Sequence, residues 1–266
     1  MSFGGLADFR LPVFGESPNF CSPENEFLQS TSRLSQVIGE NQKVGIMGQT
    51  EIGIQVNGMS PPFIKTMVMK AISFSGLSTL NEVADIGGGW GELSLALSPK
   101  SKRISLVDFA PPEQSTLPSN ITPVQANLNA AWPLETASVD FAFSTEVIEH
   151  VENPRHFMRE IVRITRPGGF IFISTPNNHS LISKLVFMLR GEHRYFQDAS
   201  YPAHITPLLY CDLKRIGDEL GLSVVSWFSS GGDRLPFFGC SIPFGGPLFS
   251  ISIGVLYRVP LSSPPS

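Results

Sequence analysis

Apolar residues change their period in a regular way along this chain. From Pro62 a helical pattern, with Phe63, Met67, Met69 and Ile72, runs to about Phe74. Short apolar runs then alternate with helical stretches: strands are predicted at Glu82–Ile86, Arg103–Val107, Ile121–Gln125, Val139–Ser144 and Phe170–Ser174, and a helix at Gly91–Leu97. A second helix is predicted from Pro154 to Thr165, with Asn153 as its cap, Pro154 in its first position, and Phe157, Ile161 and Ile164 on one face. Leu208–Leu220 reads as helix and Leu222–Phe228 as strand. Phe249–Val259 alternates, with Phe249, Ile251, Ile253, Val255 and Tyr257 on one side. Short apolar strands separated by helices imply a parallel sheet covered on both faces, hence an α/β fold.

The flanks have a different character. Residues 1–60 are poorly periodic and rich in Gly, Ser, Pro and Asn, with one predicted helix around Glu24–Ile38, and they read as an N-terminal extension. Residues 61–260 form the domain and 261–266 a short tail. The segment Ser180–Gly191 is amphipathic through Leu181, Leu185, Met188 and Leu189; it either covers a pocket or packs on the sheet, and packing in the core is the preferred reading. Leu235–Tyr257 carries no charge, but three prolines and four glycines argue against a membrane-spanning helix. Its apolar loop, Pro236–Pro247, either lines an acceptor site, touches a membrane surface without spanning it, or simply joins two late strands.

Composition narrows the function. The chain has 266 residues, 42% of them hydrophobic, enough for one large core. With 19 basic and 23 acidic residues its formal charge is -4, and no basic stripe is present to track a phosphate backbone, so nucleic acid is not an expected partner. Cys21, Cys211 and Cys240 are odd in number and far apart, which suits a reducing compartment, and the N-terminus lacks a signal-peptide pattern; a cytoplasmic location is expected.

The chemistry concentrates where predicted strands end. Val83-Ala84-Asp85-Ile86-Gly87-Gly88-Gly89-Trp90-Gly91 lies at a strand-to-helix turn, where glycines permit positive φ and close approach of a ligand. It is not a dinucleotide fingerprint: reading from Gly87 puts Glu92 in place of the third glycine, and reading from Gly88 puts Trp90 and Leu93 in the needed positions. Asp108 ends the next strand, where a carboxylate can accept from both hydroxyls of a ribose. After the third strand, the Asn127 amide oxygen suits an adenine amino group and the Leu128 backbone N–H a ring nitrogen, although Asn is also a common turn residue. All three positions share the carboxyl edge of the sheet, where open α/β sheets bind ligands.

The run Asp85 to Gly91 resembles the Asp-x-Gly-x-Gly-x-Gly signature of class I (Rossmann-like) methyltransferases that use S-adenosyl-L-methionine (SAM), and Asp108 resembles their ribose-binding acid. Asn127-Leu128-Asn129, Trp132-Pro133-Leu134, Val139-Asp140-Phe141, Glu146-Val147-Ile148-Glu149-His150, Arg166-Pro167-Gly168-Gly169 and Ser174-Thr175-Pro176-Asn177 are similar to the small-molecule O-methyltransferase branch that includes ubiquinone-biosynthesis enzymes. The likeness covers roughly residues 80–230 and departs at Asn127, where the family usually has Asp. It implies a seven-stranded, mostly parallel sheet of order 3-2-1-4-5-7-6 with the last strand antiparallel and helices on both faces. It implies SAM as cofactor, held by Asp85, Gly87, Gly89, Gly91, Asp108, Asn127 and Leu128.

Methyl transfer needs alignment and removal of the acceptor's proton. His150 is the candidate base, since imidazole titrates near neutrality; alternatively Glu149 and His150 brace the turn. If Glu146–His150 starts a helix, Glu146, Glu149 and His150 share a face and suit a divalent metal. The same string resembles the magnesium site of small-RNA 2′-O-methyltransferases, which add a later histidine, here His204. His156 and His193 read as solvated. The expectation is a methyltransferase acting at oxygen on a small-molecule, glycan or lipid-linked acceptor; the alternative is a SAM-binding partner or regulatory protein without catalysis.

Overall fold

A computed structural model describes residues 61–231 and 246–261. The extension 1–60 with its helix at 24–38, Cys21, Cys240 and the 236–245 part of the apolar loop lie outside the described residues. Seven strands form one sheet: β1 (Leu80–Ile86), β2 (Ser101–Asp108), β3 (Ile121–Gln125), β4 (Val139–Thr145), β5 (Thr165–Pro176), β6 (Ser223–Ser229) and β7 (Ser252–Arg258). Their order is β3-β2-β1-β4-β5-β7-β6. β1 to β5 run parallel, while β7 is antiparallel to both β5 and β6. This is the topology that the likeness implied.

Among the described residues five α-helices accompany the sheet: α1 (Pro62–Ser75), α2 (Glu92–Leu97), α3 (Pro154–Ile164), α4 (Leu181–Arg190) and α5 (Tyr210–Glu219). α3 starts where the sequence places it, with the Asn153 Oδ1 accepting the His156 backbone N–H at 3.0 Å and Pro154 in its first turn. The two faces of the sheet carry separate cores. On one, Ala84, Ala142, Ile171, Ile173, Val255 and Tyr257 pack with Phe157, Ile161 and Leu213 of α3 and α5. On the other, Val83, Phe141, Phe143, Phe172 and Leu256 pack with Ile64, Met67 and Val68 of α1 and Leu93 of α2. The period-two alternation along β4 and β5 sends neighbouring residues to opposite cores.

Three expectations are corrected. β5 begins at Thr165 rather than Phe170, because Val139 pairs with Thr165 before a register shift and Arg166 bonds Asp140 across the strands at 2.5 Å. β7 begins at Ser252 rather than Phe249: the Phe249 and Ser250 N–H groups turn back to the Gly246 carbonyl, which removes them from the ladder. α4 does not pack its apolar stripe in the core. Its buried residues are Ile182 and Ser183, and Ser183 is fixed by donating to the Asn177 carbonyl at 2.9 Å, which turns Leu181, Leu185, Met188 and Leu189 outward.

Parallel strands deliver their carboxyl ends to a single edge, where Ile86, Asp108, Thr145 and Pro176 close β1, β2, β4 and β5, with Asp85 one residue before the end of β1. A cleft on the opposite edge is lined by Asn81, Asp140, Arg166 and Arg258 among others, and Arg166 and Asp140 form an ion pair in its wall. No helix among the described residues is long and apolar enough to cross a membrane.

Candidate active site

The turn after β1 is held by its own backbone and by β2. Gly87 N–H donates to the Val107 carbonyl at 2.7 Å and Gly91 N–H to the Gly88 carbonyl at 2.9 Å. Gly87, Gly89 and Gly91 all have positive φ, from 53° to 80°. Space differs among them. A Cβ at Gly88 would come within 2.3 Å of Leu106 Cδ1 and 2.6 Å of the Asp85 carboxyl carbon, whereas a Cβ at Gly89 would meet nothing within 4 Å. The turn is therefore packed underneath and open above Gly89.

Asp85 belongs to the underside. It is 1% exposed and accepts the Ser94 hydroxyl at 2.7 Å. Burial pushes its carboxyl up to about 7 against the opposing Ser94 hydrogen bond, and the Asp108 charge adds to the rise. Asp108 instead lies half-buried at the edge. Its Oδ2 accepts the Gly89 N–H at 2.9 Å and its Oδ1 the Ala110 N–H at 3.1 Å. Each carboxylate oxygen keeps a further lone pair for a ligand hydroxyl. Asn127 is exposed, and its Oδ1 closes a turn by accepting the Asn129 N–H at 2.9 Å.

A second group lies beyond β4. Glu146 takes the left-handed conformation, φ 56°, so the chain does not enter a helix at this point; only a short 3₁₀ turn forms at Ile148–His150. The shared helical face expected for Glu146, Glu149 and His150 is not built. Glu146 sends its oxygens to the hydroxyls of Ser174 and Ser252, at 2.8 and 3.0 Å, tying β4 to β5 and β7. Burial raises its carboxyl to about 7.

Glu149, His150 and His204 do come together: ligand atoms from the three all lie within 4.8 Å of one another. Glu149 is fully buried; its Oε2 accepts from Thr175 at 3.1 Å, while Oε1 has no hydrogen-bond partner and lies 4.0 Å from His150 Nε2. Burial, with the Glu146 charge, holds the Glu149 carboxyl well above the usual range. His150 Nδ1 is 2.7 Å from the Ala203 carbonyl and His204 Nδ1 is 2.5 Å from that of Tyr195. A carbonyl only accepts, so each Nδ1 carries a proton, and in the neutral ring each Nε2 offers a lone pair. Burial lowers the His150 pKa, and the neighbouring His204 contributes. His204 is brought in because Ile205 and Thr206 N–H groups both bond the Glu149 carbonyl, at 3.1 and 3.0 Å.

Residues 62–226 match the family model of the methyltransferase domain. The chain belongs to that family. Among curated relatives, this methyltransferase domain is similar to an S-adenosylmethionine-dependent methyltransferase of Mycobacterium tuberculosis, 32% identical over 102 residues, which is 37% of this chain and 37% of the relative. It is also similar to a malonyl-[acyl-carrier protein] O-methyltransferase of a Marinomonas species, 26% identical over 63% of this chain and 65% of that one. A ubiquinone biosynthesis O-methyltransferase of Xanthomonas oryzae pv. oryzae is 24% identical over 54% of this chain and 67% of that one. The chain thus spans well under half the length of the mycobacterial relative and about two thirds of the other two.

Solved structures share the fold of the methyltransferase domain. The N-methyltransferase NodS of Bradyrhizobium japonicum, in complex with S-adenosyl-L-homocysteine, aligns with 75% of this chain and 88% of its own at a TM-score of 0.51 and 16% identity. The [4+2]-cyclase SpnF aligns with 74% and 81% at 0.54 and 13% identity. Folds this similar carry different reactions, so the chemistry rests on the side chains.

Sequence reading missed three features of the methyltransferase domain. Ser94 braces Asp85; its one signal was a small polar residue three positions into a predicted helix. Trp90 and Phe109 stand 55% and 45% exposed beside the glycine turn and Asp108, where isolated aromatics gave no periodic signal. Finally, His193 is not simply solvated: it is packed between Phe187 and Phe196, tilted to the first and edge-on to the second, with centroids 4.9 and 6.3 Å away. His156 ties its Nε2 to the Ala130 carbonyl at 3.0 Å, a structural role.

Proposed function

We propose that this chain is a SAM-dependent methyltransferase that delivers the methyl group to an oxygen of a small-molecule, glycan or lipid-linked acceptor. One observation carries the reading: the open turn at Gly89, bonded to Asp108, lies on the same sheet edge as a pair of imidazoles and a buried carboxyl. The turn suits the cofactor because a Cβ at Gly89 would enter free space above a backbone already fixed by an acid. Asp108 would hold ribose hydroxyls, while Gly87, Gly91 and Asp85 shape and support the turn; Leu128 N–H and the remaining lone pair of Asn127 would face the base. SAM supplies an activated methyl group when bound. What this chain must add is alignment of the acceptor and a place for its proton, and His150 Nε2, neutral and lowered in pKa, suits that task.

A divalent ion is the second reading, favoured by the clustering of Glu149, His150 and His204 and by the unpartnered Glu149 Oε1. Two imidazoles and one carboxylate make a softer donor set than Mg2+ prefers, so Mn2+, Fe2+, Co2+ or Zn2+ fit better than the magnesium expected from sequence. The two Nδ1–carbonyl bonds are the outer contacts that fix metal-binding histidines. An ion there would supply Lewis acidity toward an acceptor hydroxyl. Glu146, occupied by Ser174 and Ser252, is not part of this set.

The cytoplasmic location expected from the odd number and wide spacing of the cysteines stays a proposal as well. The test of function is calorimetric binding of SAM and its demethylated product, followed by product release with hydroxylated acceptors. Binding without turnover under any acceptor would favour the regulatory alternative, and absence of binding would remove both. Full turnover in excess EDTA would remove the metal and leave His150 as base.

A further inference from the structure

α4 is the most conspicuous unexplained surface. Leu181, Leu185, Met188 and Leu189 recur at i, i+4, i+7 and i+8, which is one helical face, and that face is turned to solvent: Met188 and Leu189 are each 76% exposed. Phe187 and, beside the start of the helix, Leu248 are exposed too, the latter joined to it by the Leu181 N–H to Leu248 carbonyl bond at 2.9 Å. Scattered apolar residues need no explanation, but a contiguous stripe does.

The helix itself carries charge of one sign, with Glu192 just past its C-cap Gly191. α4 contains Lys184 and Arg190 and no acidic residue, in a chain whose net charge is -4. Lys184, beside the stripe, contacts His179 at 3.4 Å. A second copy of the chain laid on the same face would oppose like charges, because a twofold contact pairs a surface with itself. An anionic lipid surface meets both features: acyl chains take up the leucines and methionine, and headgroups neutralise the cations.

The helix is also connected to the site. Phe187 contacts His193, His193 contacts Phe196, Phe196 contacts His204 at 5.3 Å, and His204 contacts His150 at 4.8 Å. A continuous row of rings therefore leads from the exposed helix to the imidazoles. We propose that α4 docks this protein on an anionic lipid surface through Leu181, Leu185, Met188 and Leu189, with Lys184 and Arg190 on the headgroups, so that a membrane-resident acceptor reaches His150 along this row. The docking stands alone; only its use for acceptor delivery rests on the methyltransferase reading.

The test is sedimentation of the full chain with vesicles of phosphatidylcholine alone and of phosphatidylcholine mixed with phosphatidylglycerol, without cofactor or acceptor. Binding to the anionic vesicles is expected, weakened by salt, and about tenfold lower for Met188→Ser/Leu189→Ser and for Lys184→Glu/Arg190→Glu. Circular dichroism and SAM affinity of both variants should match the parent, since all four residues are exposed. No binding to either vesicle, or binding that both variants retain, overturns the proposal. A dimer in solution that Met188→Ser/Leu189→Ser dissociates also overturns it, in favour of a contact between copies. Vesicle binding reads out without any methyl transfer, so its failure and the failure of the enzymatic reading are separate results.

Discussion

His150 and His204 meet edge to face, with ring centroids 4.8 Å apart and planes inclined by 64°. Both spend Nδ1 on a backbone carbonyl, so in the neutral rings both Nε2 lone pairs are available where the unpartnered Glu149 oxygen also ends. His204→Gln removes one of these donors without touching the Ala203 contact that orients His150. With an ion in the site, the variant should bind Mn2+ about tenfold more weakly or worse and lose EDTA-sensitive turnover. With His150 acting alone as base, turnover should persist and remain indifferent to EDTA. Titration with Mn2+, followed by turnover with and without chelator, separates the two.

Asp108 is tied to the turn it serves, through Gly89 N–H at 2.9 Å. Asp108→Asn keeps an acceptor for that N–H but removes the charge offered to ribose hydroxyls. A hydrogen bond to a charged group contributes about 1.5–3 kcal/mol, so affinity for SAM should fall by roughly one to two orders of magnitude. Calorimetry gives the affinity, and an almost unchanged melting temperature would place the loss at the ligand rather than in the fold.

Adjacent glycines should respond in opposite ways. Gly88→Ala forces a methyl to 2.3 Å from Leu106 and against the Asp85 carboxyl, and should destabilise the fold by about 1–3 kcal/mol. Gly89→Ala meets no neighbour and pays about 1–2 kcal/mol for its left-handed backbone. Its larger effect should be on SAM affinity, because the added methyl occupies the space proposed for the cofactor. Equal loss of stability and affinity in the two variants would contradict this division of roles.

Asp85 gives the unliganded protein a pH dependence of definite sign. Its folded pKa is raised from 3.8 to about 7, so the folded chain holds this proton more tightly than the unfolded chain. The stability linked to it is complete below the unfolded value and is lost as pH rises through the folded one. At about 1.4 kcal/mol per unit, the total is on the order of a few kcal/mol. The melting temperature should therefore decline between about pH 4 and pH 7, and Asp85→Asn should lessen the decline. Ser94→Ala, by removing the hydrogen bond that favours the charged form, should move the decline to higher pH.

Period and punctuation alone located the strands, the Asn153-capped helix and the glycine turn, because binary patterning and caps act between near neighbours and leave their mark in the sequence. The likeness to known methyltransferases supplied the strand order, which no local signal encodes. Tertiary structure decided what depends on distant partners. Asp85 went beneath the turn because Ser94 and Leu106 close over it, and Glu146 left the candidate metal set because Ser174 and Ser252, far apart in the chain, satisfy both its oxygens. The outward face of α4 followed from the same cause: its pattern fits a buried helix, but hydrogen bonding of Ser183 to Asn177 fixed which side was buried. A helical repeat states that one face is apolar, and only the packed chain states what that face meets.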